Sequence, residues 1–447
     1  MPEVMVKQGA GSHAPSYWAA TAVPAPTFTP FTGTRRVEVA IIGGGFTGLS
    51  AAYHLAEQGI EALVLEANDT GWGASGRNGG MLPPRYKKGF SGIAGKYGHD
   101  VTRRLHGIIL EAVDTVESMA ERIGGDSGFR RTGQLTAAHT RVHLATLEAD
   151  RDWAAREAGD RTPRLLDRRE MQEEVGGGSH AGGWLDPRGA GIHPLSFARN
   201  VAAYLARKGV PIHTASPVRR LVDGPDGVTL HLDGGTITAD QVVIATNGYT
   251  GMIPFAPGQL DKRLVAVNSS VLATAPLGDN LAASLMAGRR MVADTKHIMN
   301  YYRLNEDNCL IFGGRGDITG GSDDPAVYAK LEQQMVETFP QVAGVPVSHR
   351  WSGMVAVTRD DFPHIGRVSQ RVSYAMGYGG RGVALSNMLG KLLVPLVRCE
   401  TVDAGPMSSN PFLRYPFHAF RITGMQIVAG WYRYLDAKAL RAERAGS

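Results

Sequence analysis

The stretch from Val37 to Glu66, VEVAIIGGGFTGLSAAYHLAEQGIEALVLE, decides the fold that the sequence predicts. It opens with apolar, mostly β-branched residues, which are typical of a buried parallel strand. Gly43, Gly45 and Gly48 follow at once with the spacing G-x-G-x-x-G. Such glycines permit a tight turn, a close approach of the backbone to a pyrophosphate, and packing of the next helix on the strand. The stretch therefore predicts a strand–helix–strand unit that binds a dinucleotide.

The order of the elements makes this prediction specific. A lone G-x-G-x-x-G motif is weak, but here the strand, glycines, helix, second strand and terminal acid all follow in sequence. The second strand, Ala62 to Leu65, ends at Glu66, where this fold places an acid on the ribose hydroxyls. Because such an acid accepts from a free 2′-hydroxyl, Glu66 favours FAD or NAD over NADP.

The composition is that of an ordinary globular protein. The chain has 447 residues, of which 43% are hydrophobic and 20% are charged, enough for two or three domain-sized units with a large core. The net charge of +5 is spread over 47 basic and 42 acidic side chains. No block of lysine and arginine stands out, so we expect no nucleic-acid partner.

The cysteines and the hydropathy pattern indicate the cellular compartment in which the protein is expected. Two distant cysteines, Cys309 and Cys399, form no zinc motif and no disulfide framework, so we expect reduced thiols and no metal site. The N-terminal residues lack a continuous apolar stretch of the secretory type. No window reaches 18 apolar residues, the length of a membrane span. We therefore expect a cytoplasmic protein without an integral membrane segment.

Two further glycine-rich segments follow the dinucleotide unit. Residues 71–80, GWGASGRNGG, suit a loop that passes close to a ligand and offers backbone donors. Residues 377–382, GYGGRG, lie between a strand and an apolar helix, so a second helix N-terminus is expected to point at the cofactor. Between them, the buried strand Asp240 to Ala245 runs into the polar turn at Thr246, as expected at the carboxyl edge of a doubly wound sheet.

The rest of the chain predicts a second unit and two terminal segments. Residues 265–274 and 301–314 carry the alternating pattern of antiparallel strands. Residues up to about Thr34 are rich in Pro, Thr, Ala and Gly and indicate an extended arm with Tyr17 and Trp18 as anchors. The C-terminal helix, Gly424 to Leu440, is expected to dock on the body of the protein rather than on a membrane, because its charges are spread around it.

With these motifs in hand, the chain resembles the D-amino-acid oxidase superfamily of FAD-dependent amine oxidoreductases. The resemblance is strongest to the branch of γ-glutamylputrescine oxidases and sarcosine/glycine oxidase-like enzymes, and it covers nearly everything from Tyr17 to Val397. It rests on the opening unit, on GASGRNGG and ATNGY, and on the segment WSG, DDFPHIG and GYGGRG. It implies an α/β fold in which a Rossmann-like FAD-binding domain carries a second domain with an antiparallel sheet and outer helices.

The resemblance also implies the domain boundaries and the cofactor residues. The FAD-binding domain is expected over residues 35–100, 190–260 and 349–400, the substrate-binding domain over 101–189 and 261–348, the arm over 1–34, and a C-terminal tail and helix over 401–447. The residues expected to hold FAD are Gly43, Gly45, Phe46, Thr47, Gly48, Glu66, Ala67, Gly73, Ala74, Ser75, Arg77, Asn78, Gly79, Gly80, Met81, Val218, Ala245, Thr246, Gly353, Gly377, Gly380, Arg381, Gly382 and Val383.

The departures from sarcosine oxidase bear on flavin linkage and substrate. Ser352 and Gly353 stand where that enzyme has a flavin-linked cysteine, so we expect noncovalent FAD. Residues 383–385 replace the segment whose lysine holds the substrate carboxylate, and residues 310–312 replace the segment whose lysine promotes the reaction with oxygen. These differences weaken the case for sarcosine as the substrate and for oxygen as an obligatory acceptor.

By the same resemblance, a few side chains are expected at the reacting face of the flavin: Arg85, Tyr301, Tyr302, Arg315 and Arg381. An arginine fork binds a carboxylate, so the expected small-molecule ligand is an amine with a distal acidic group. A structural ion pair is the competing interpretation for Arg85 and for Arg315. No side-chain base is required if the amine loses its proton before or during binding.

The function expected from the resemblance is oxidation of a primary or secondary amine, or an amino acid, to an imine that hydrolyses to a carbonyl compound. Oxygen is the expected acceptor. One alternative is an amine dehydrogenase, or a subunit of one, that passes electrons to a quinone or a protein partner. A second alternative is a flavin-binding protein without turnover. The sequence does not identify the amine, the acceptor or the oligomeric state.

Overall fold

The computed structural model describes residues 11–315 and 324–445. The strands, in chain order, are β1 Gly33–Ile42, β2 Ala62–Leu65, β3 Met81–Leu82, β4 Gln134–Ala138, β5 Arg164–Leu166, β6 Gly182–Asp186, β7 Ala190–Gly191, β8 Ile212–His213, β9 Val218–Gly224, β10 Gly227–Leu232, β11 Gly235–Ile244, β12 Val265–Thr274, β13 Met291–Asp294, β14 Tyr301–Leu304, β15 Leu310–Arg315, β16 Val347–Val357, β17 His364–Arg367 and β18 Val372–Met376.

The α-helices are interleaved with these strands. They are α1 Tyr17–Thr21, α2 Phe46–Glu57, α3 Phe90–Tyr97, α4 His99–Ile123, α5 Arg141–Glu157, α6 Arg168–Glu174, α7 Pro194–Arg207, α8 Asp279–Leu285, α9 Pro325–Thr338, α10 Gly382–Val397, α11 Pro406–Ser409 and α12 Arg421–Ala445. Short 3₁₀ turns cover Ala74–Gly76, Asn247–Met252, Pro257–Arg263, Pro340–Val342 and His418–Phe420.

The first sheet contains the predicted dinucleotide unit. Its strand order is β17-β18-β11-β1-β2-β8, and the hairpin β9–β10 pairs with the early part of β11. Strand β1 pairs in parallel with β2 on one side and with β11 on the other. The last four residues of β1 and all of β2 are buried, as a sheet covered on both faces requires. The predicted α/β class with a Rossmann-like unit is confirmed.

The second sheet is almost entirely antiparallel. Its order is β16-β12-β15-β14-β13-β4-β6-β5, and within the described ranges only β13 and β4 of this sheet pair in parallel. Helices α8 and α9 contribute apolar residues to the core on one face of this sheet. This sheet is the predicted second unit, built around the alternating segments of β12, β14 and β15.

Two segments lie in different units from those expected. Residues 349–357, expected in the FAD-binding unit, belong to β16, which pairs along ten residues with β12 of the second sheet. Helix α4, expected in the second unit, packs against α10 beside the first sheet. Its buried stripe includes Leu105, Ile109 and Val113. An amphipathic pattern predicts that such a stripe is buried but does not identify the surface that covers it.

The N-terminal arm crosses the junction of the two sheets. Trp18 of α1 is almost completely buried and packs edge-on against Trp351 of β16, with ring centroids 6.3 Å apart. The hydroxyl of Tyr17 donates to Asp307. The arm is therefore anchored at the two aromatic residues expected from the sequence.

None of the helices within residues 11–315 and 324–445 combines the length and the hydropathy that a membrane span requires.

Candidate active site

A cavity of about 750 Å³ lies between the two sheets. One wall is formed by the turns that follow β1, β2 and β11, and another by residues of β12, β14 and β16. The carboxyl ends of parallel strands are where open α/β sheets bind ligands. The volume lies within the usual range for ligand and cofactor sites, roughly 300–1,000 Å³.

The glycine turn after β1 packs closely against neighbouring backbone only because its side chains are missing. Gly43 has φ +116°, and a Cβ there would lie 2.8 Å from the carbonyl oxygen of Ala245. A Cβ at Gly48 would lie 1.9 Å from the carbonyl oxygen of Gly43, so this glycine serves helix packing and does not line the cavity. Gly45 caps α2 without a side-chain bond, which leaves the helix N-terminus available to an anion.

Glu66 stands at the end of β2 on the cavity wall. Its carboxylate accepts hydrogen bonds from the backbone N–H of Gly44 at 2.6 Å and of Asn68 at 2.9 Å. Burial raises the pKa of Glu66 above its ordinary value, and these two N–H donors oppose that increase. The carboxylate is therefore fixed beside the glycine turn, as expected of a ribose-binding acid.

The loop of residues 71–80 is held in place by two indole rings. Trp18 Nε1 donates to the carbonyl of Asn78 at 2.8 Å, and Trp351 Nε1 donates to the carbonyl of Arg77 at 2.8 Å. The Arg77 guanidinium lies 4.5 Å from the centre of the Trp72 ring. The loop thus has a fixed shape although it contains five glycines.

The third glycine-rich segment ends at the N-terminus of α10. Arg381 caps this helix without a side-chain bond, and the first turn of the helix reaches the cavity. Gly377 has φ +90° and does not line the cavity. It packs against Thr358 instead, since a Cβ at this position would lie 2.4 Å from Cγ2 of Thr358. Gly80 likewise packs against the Ile192 carbonyl rather than the cavity. These two glycines, together with Gly48, shape the backbone behind the wall.

The structure brings the other residues expected to hold the cofactor to one cavity. They are Gly43, Gly45, Phe46, Thr47, Glu66, Ala67, Gly73, Ala74, Ser75, Arg77, Asn78, Gly79, Met81, Val218, Ala245, Thr246, Gly353, Gly380, Arg381, Gly382 and Val383.

Arg85 lies on the cavity wall beyond the second glycine-rich loop. Its Nη2 donates to Oδ2 of Asp150 at 2.8 Å, and Asp150 is completely buried. The guanidinium also lies 5.4 Å from the centre of the Trp184 ring. Its Nη1, however, is buried without a hydrogen-bond partner among the described residues. One nitrogen of the guanidinium closes an ion pair, and another is left without a partner among the described residues.

Arg381 is a second cation on the same cavity. Burial, and to a smaller extent the positive charge of Arg85, lower the pKa of Arg381 to about 10. Two guanidinium groups therefore act on one another here, and Asp150 is already engaged by Arg85. Such a region favours an anionic ligand.

The two predicted tyrosines point in opposite directions, as neighbours on a strand must. Tyr301 lines the cavity, and its hydroxyl lies 3.1 Å from Oγ of Ser269. Tyr302 packs on the other face of the sheet, parallel to Phe312 at 5.5 Å, and borders a separate cavity of about 1030 Å³. The backbone of Arg315 ends β15, but its side chain lies outside the described part of the chain.

Further cavity residues come from segments that the sequence did not single out. Lys296, in the loop after β13, lies on the wall, and its Nζ is 2.9 Å from Oδ2 of Asp294. Tyr432 of α12 also borders the cavity and stacks on His297. Lys296 and His297 lie outside any motif, and the contribution of α12 depends on how the tail folds back, so no sequence signal identified them.

The chain is similar to known proteins over most of its length. Residues 38–396 match the family described as FAD dependent oxidoreductase, or DAO. The chain is 33% identical to gamma-glutamylputrescine oxidoreductase of Escherichia coli strain K12, over 95% of this chain and 98% of that protein. It is 23% identical to glycine oxidase of Bacillus licheniformis over 81% of this chain and 93% of that protein.

Solved structures share the fold. The crystal structure of glycine oxidase from Geobacillus kaustophilus superposes with a TM-score of 0.71 at 22% identity, covering 85% of this chain and 99% of that one. L-proline dehydrogenase from P. horikoshii superposes with a TM-score of 0.70 at 19% identity, covering 84% and 96%.

The residues of the cavity fit the cofactor of this family. Gly45 caps α2 without a side-chain bond, so the N-terminus of that helix would hold a pyrophosphate, and the Glu66 carboxylate beside the glycine turn would hold a ribose. The match over residues 38–396 spans both sheets and all three glycine-rich segments. The chain therefore belongs to the DAO family of FAD-dependent oxidoreductases, and FAD is its cofactor.

Proposed function

We propose that the enzyme oxidises a primary or secondary amine that carries an acidic group away from the reacting carbon. FAD, when bound, would supply the acceptor for a hydride, one proton with two electrons, from the carbon next to nitrogen. The nitrogen loses its proton, and water hydrolyses the imine to a carbonyl compound with release of ammonia from a primary amine or of a smaller amine from a secondary one. The name of one relative supports this class, since gamma-glutamylputrescine carries a carboxyl group far from its terminal amine, whereas glycine, named by the other relative, carries its carboxyl group on the carbon next to nitrogen.

The observation that carries the proposal is the free Nη1 of Arg85. An unpaired buried guanidinium nitrogen is costly, and a ligand carboxylate would remove that cost with a charge-assisted hydrogen bond. Asp150 fixes the orientation of the side chain through Nη2. Arg381 adds a second positive charge without a carboxylate of its own among the described ion pairs.

The other wall residues orient the amine and exclude water. Burial raises the pKa of the Tyr301 phenol, so the group stays neutral and can donate to a substrate atom. Ala384 occupies the first turn of α10, so the acidic group has no lysine there to bind beside the reacting carbon. In sarcosine oxidase, which the chain resembles, a lysine in this segment holds the substrate carboxylate. Its absence here favours longer amines over glycine derivatives as substrates.

Flavin reduction without oxygen tests the substrate class. Arg85→Ala should weaken binding of acidic amines by about 2–5 kcal/mol, because a buried charge-assisted pair is lost. Neutral amines of the same length should be affected much less. Arg85→Lys keeps a positive charge beside Asp150 but removes the second nitrogen of the fork, so it should reduce the preference for acidic amines while sparing the fold.

The exposed Arg169 of α6 supplies the control variant, Arg169→Gln, which should behave as the parent does. If Arg85→Lys loses acidic and neutral amines equally while it keeps FAD, Arg85 does not bind the substrate. If no amine reduces the flavin, the proposed oxidation is wrong. That result would favour the alternative that the chain is a flavin-binding protein without turnover.

We propose oxygen as the electron acceptor. Relatives of this chain include both oxidases and a mitochondrial dimethylglycine dehydrogenase of Mus musculus, at 23% identity, so the family match alone does not select the acceptor. Reduced enzyme mixed with oxygenated buffer should reoxidise fast enough to sustain turnover and produce hydrogen peroxide. Turnover that requires an artificial quinone would instead identify a dehydrogenase.

A further inference from the structure

The C-terminal helix α12 has an apolar face that points away from the protein. Its members follow one another at intervals of four and three residues, which places them on one side of a helix. The apolar part consists of Ile427, Trp431 and Tyr434, whose exposed fractions are 69%, 56% and 53%. The same side continues into Lys438 and Arg441, both exposed. We call these five residues the outer face of α12.

The opposite side of the helix is occupied by the protein itself. Ala429 is completely buried. Asp436 accepts hydrogen bonds from the backbone N–H groups of His297 and Ile298, at 3.0 and 3.1 Å, and lies 2.7 Å from Nδ1 of His297. Glu443 accepts from the backbone N–H of Arg141 at 2.9 Å. The helix is therefore held by its inner side, and its outer face is not needed for docking.

The cations of α12 are spread around the helix, with Arg433 beside the carboxylates and Lys438 and Arg441 on the outer face, but its negative charge is confined to one side. The two carboxylates, on Asp436 and Glu443, both face the protein and are engaged there. The cations on the outer face make no ion pair among the described residues. The outer face thus combines aromatic and aliphatic side chains with positive charge and carries no negative charge.

We propose that the outer face of α12 docks on the surface of an anionic lipid bilayer. Trp and Tyr favour the boundary between acyl chains and headgroups, because each combines an apolar ring with a polar tip. Lys and Arg can bury their stems while the charged ends contact anionic headgroups. A helix lying in the plane of the membrane uses this combination. Ring stacking between Trp431 and Tyr434, with centroids 5.4 Å apart, makes the apolar part continuous.

A second copy of the chain fits this face less well. In a two-fold dimer the same patch meets itself, so the cations of one copy would lie against a patch that also carries cations and no carboxylate. Like charges brought together across an interface are costly. The charge of the outer face therefore favours an anionic surface over self-association.

Vesicle sedimentation of the FAD-loaded protein tests this proposal. The probes are vesicles of phosphatidylcholine alone and vesicles in which about a third of the lipid is phosphatidylglycerol. The protein should bind the anionic vesicles, bind the neutral vesicles more weakly, and be released from the anionic vesicles by high salt. The fluorescence of Trp431 should shift to shorter wavelength on binding, with Trp431→Phe as the reference.

Variants of the outer face separate the apolar and the cationic contributions. Ile427→Ser and Trp431→Ser should each lower vesicle affinity about tenfold or more. Lys438→Gln and Arg441→Gln should each lower affinity for anionic vesicles about fivefold and leave binding to neutral vesicles unchanged. Val222→Ser, an exposed apolar position on β9, and Arg169→Gln are the matched controls and should bind as the parent does.

All of the substituted side chains are exposed, so each variant should keep the melting temperature and the FAD content of the parent. These two measurements check that the variants fold. Three results would overturn the proposal. They are no binding to anionic vesicles at low salt, binding that the outer-face variants do not weaken more than the controls do, and a dimer that Trp431→Ser converts to a monomer without any binding to vesicles. The last would assign the face to a second copy of the chain.

Discussion

Glu66 has two roles at once, since its carboxylate both faces the cavity and accepts from the backbone of the glycine turn through Gly44. We predict that Glu66→Ala weakens FAD binding by about 1.5–3 kcal/mol, the usual contribution of a hydrogen bond to a charged group. Titration of the apoprotein with FAD, followed by flavin fluorescence, measures this loss. Glu61→Ala, at an exposed carboxylate just before β2, should leave FAD affinity unchanged. If the Glu66 variant and the parent bind FAD with equal affinity, Glu66 does not bind the ribose.

Asp360 gives a pH-dependent prediction away from the cavity. Although its partial burial alone would raise the pKa of Asp360, the hydrogen bonds from His364 and Asn410 lower it from 3.8 to about 2. A carboxyl group with a lowered pKa in the folded state stabilises the fold above the unfolded value, and this stability is lost as the pH falls through the folded value. The contribution at neutral pH is about 2 kcal/mol.

We therefore predict that Asp360→Asn lowers the free energy of unfolding at pH 7 by about this amount, and that roughly half of the difference has vanished at pH 3. Denaturant unfolding at both pH values measures it. Asp100→Asn, at a largely exposed carboxylate of α4, is the control. A difference between the Asp360 variant and the parent that stays constant from pH 7 to pH 3 would show that the carboxyl does not titrate as described.

At the scale of elements, the N-terminal arm supports the loop of residues 71–80. Trp18 fills a buried position and donates to the carbonyl of Asn78. We predict that Trp18→Ala lowers the free energy of unfolding by about 3–5 kcal/mol. Trp18→Phe keeps most of the packing and leaves the Asn78 carbonyl without this donor, at a cost of about 1–3 kcal/mol.

Thermal and denaturant unfolding measure both variants of Trp18, and both should also bind FAD less tightly because the loop loses an anchor. Trp431→Ala, at an exposed tryptophan, should change stability by no more than about 0.5 kcal/mol. If Trp18→Ala is as stable as the parent, the arm does not contribute to the fold in the way that its burial indicates.

At the scale of the whole molecule, the cavity lies where two sheets meet, and no cysteine among the described residues lines it. Strand β16 passes the cavity with Gly353 and Met354, and neither Cys309 nor Cys399 lines the wall. We predict that acid precipitation releases all of the FAD into the supernatant, as absorbance of the two fractions will show. Flavin that stays with the washed pellet would reveal a covalent bond to another side chain.

The local pattern of the sequence predicted the dinucleotide unit closely. Strand β2 spans Ala62–Leu65 as expected, and α2 begins directly after Gly45. These features follow from short-range rules: apolar β-branched runs form buried strands, and glycines are needed where a Cβ would collide with backbone. Here every local signal agrees with the tertiary fold, so the residues alone were sufficient.

The tertiary structure decided which surfaces these elements meet. The alternation of a strand shows that Tyr301 and Tyr302 face opposite sides but not which side holds the cavity. In the same way, β16 could have joined either sheet, and Arg85 could have found its partner anywhere, yet β16 pairs with β12 and Arg85 with Asp150 of α5. Strand pairing and ion pairs depend on contacts between residues far apart in the chain, and no local periodicity contains that information.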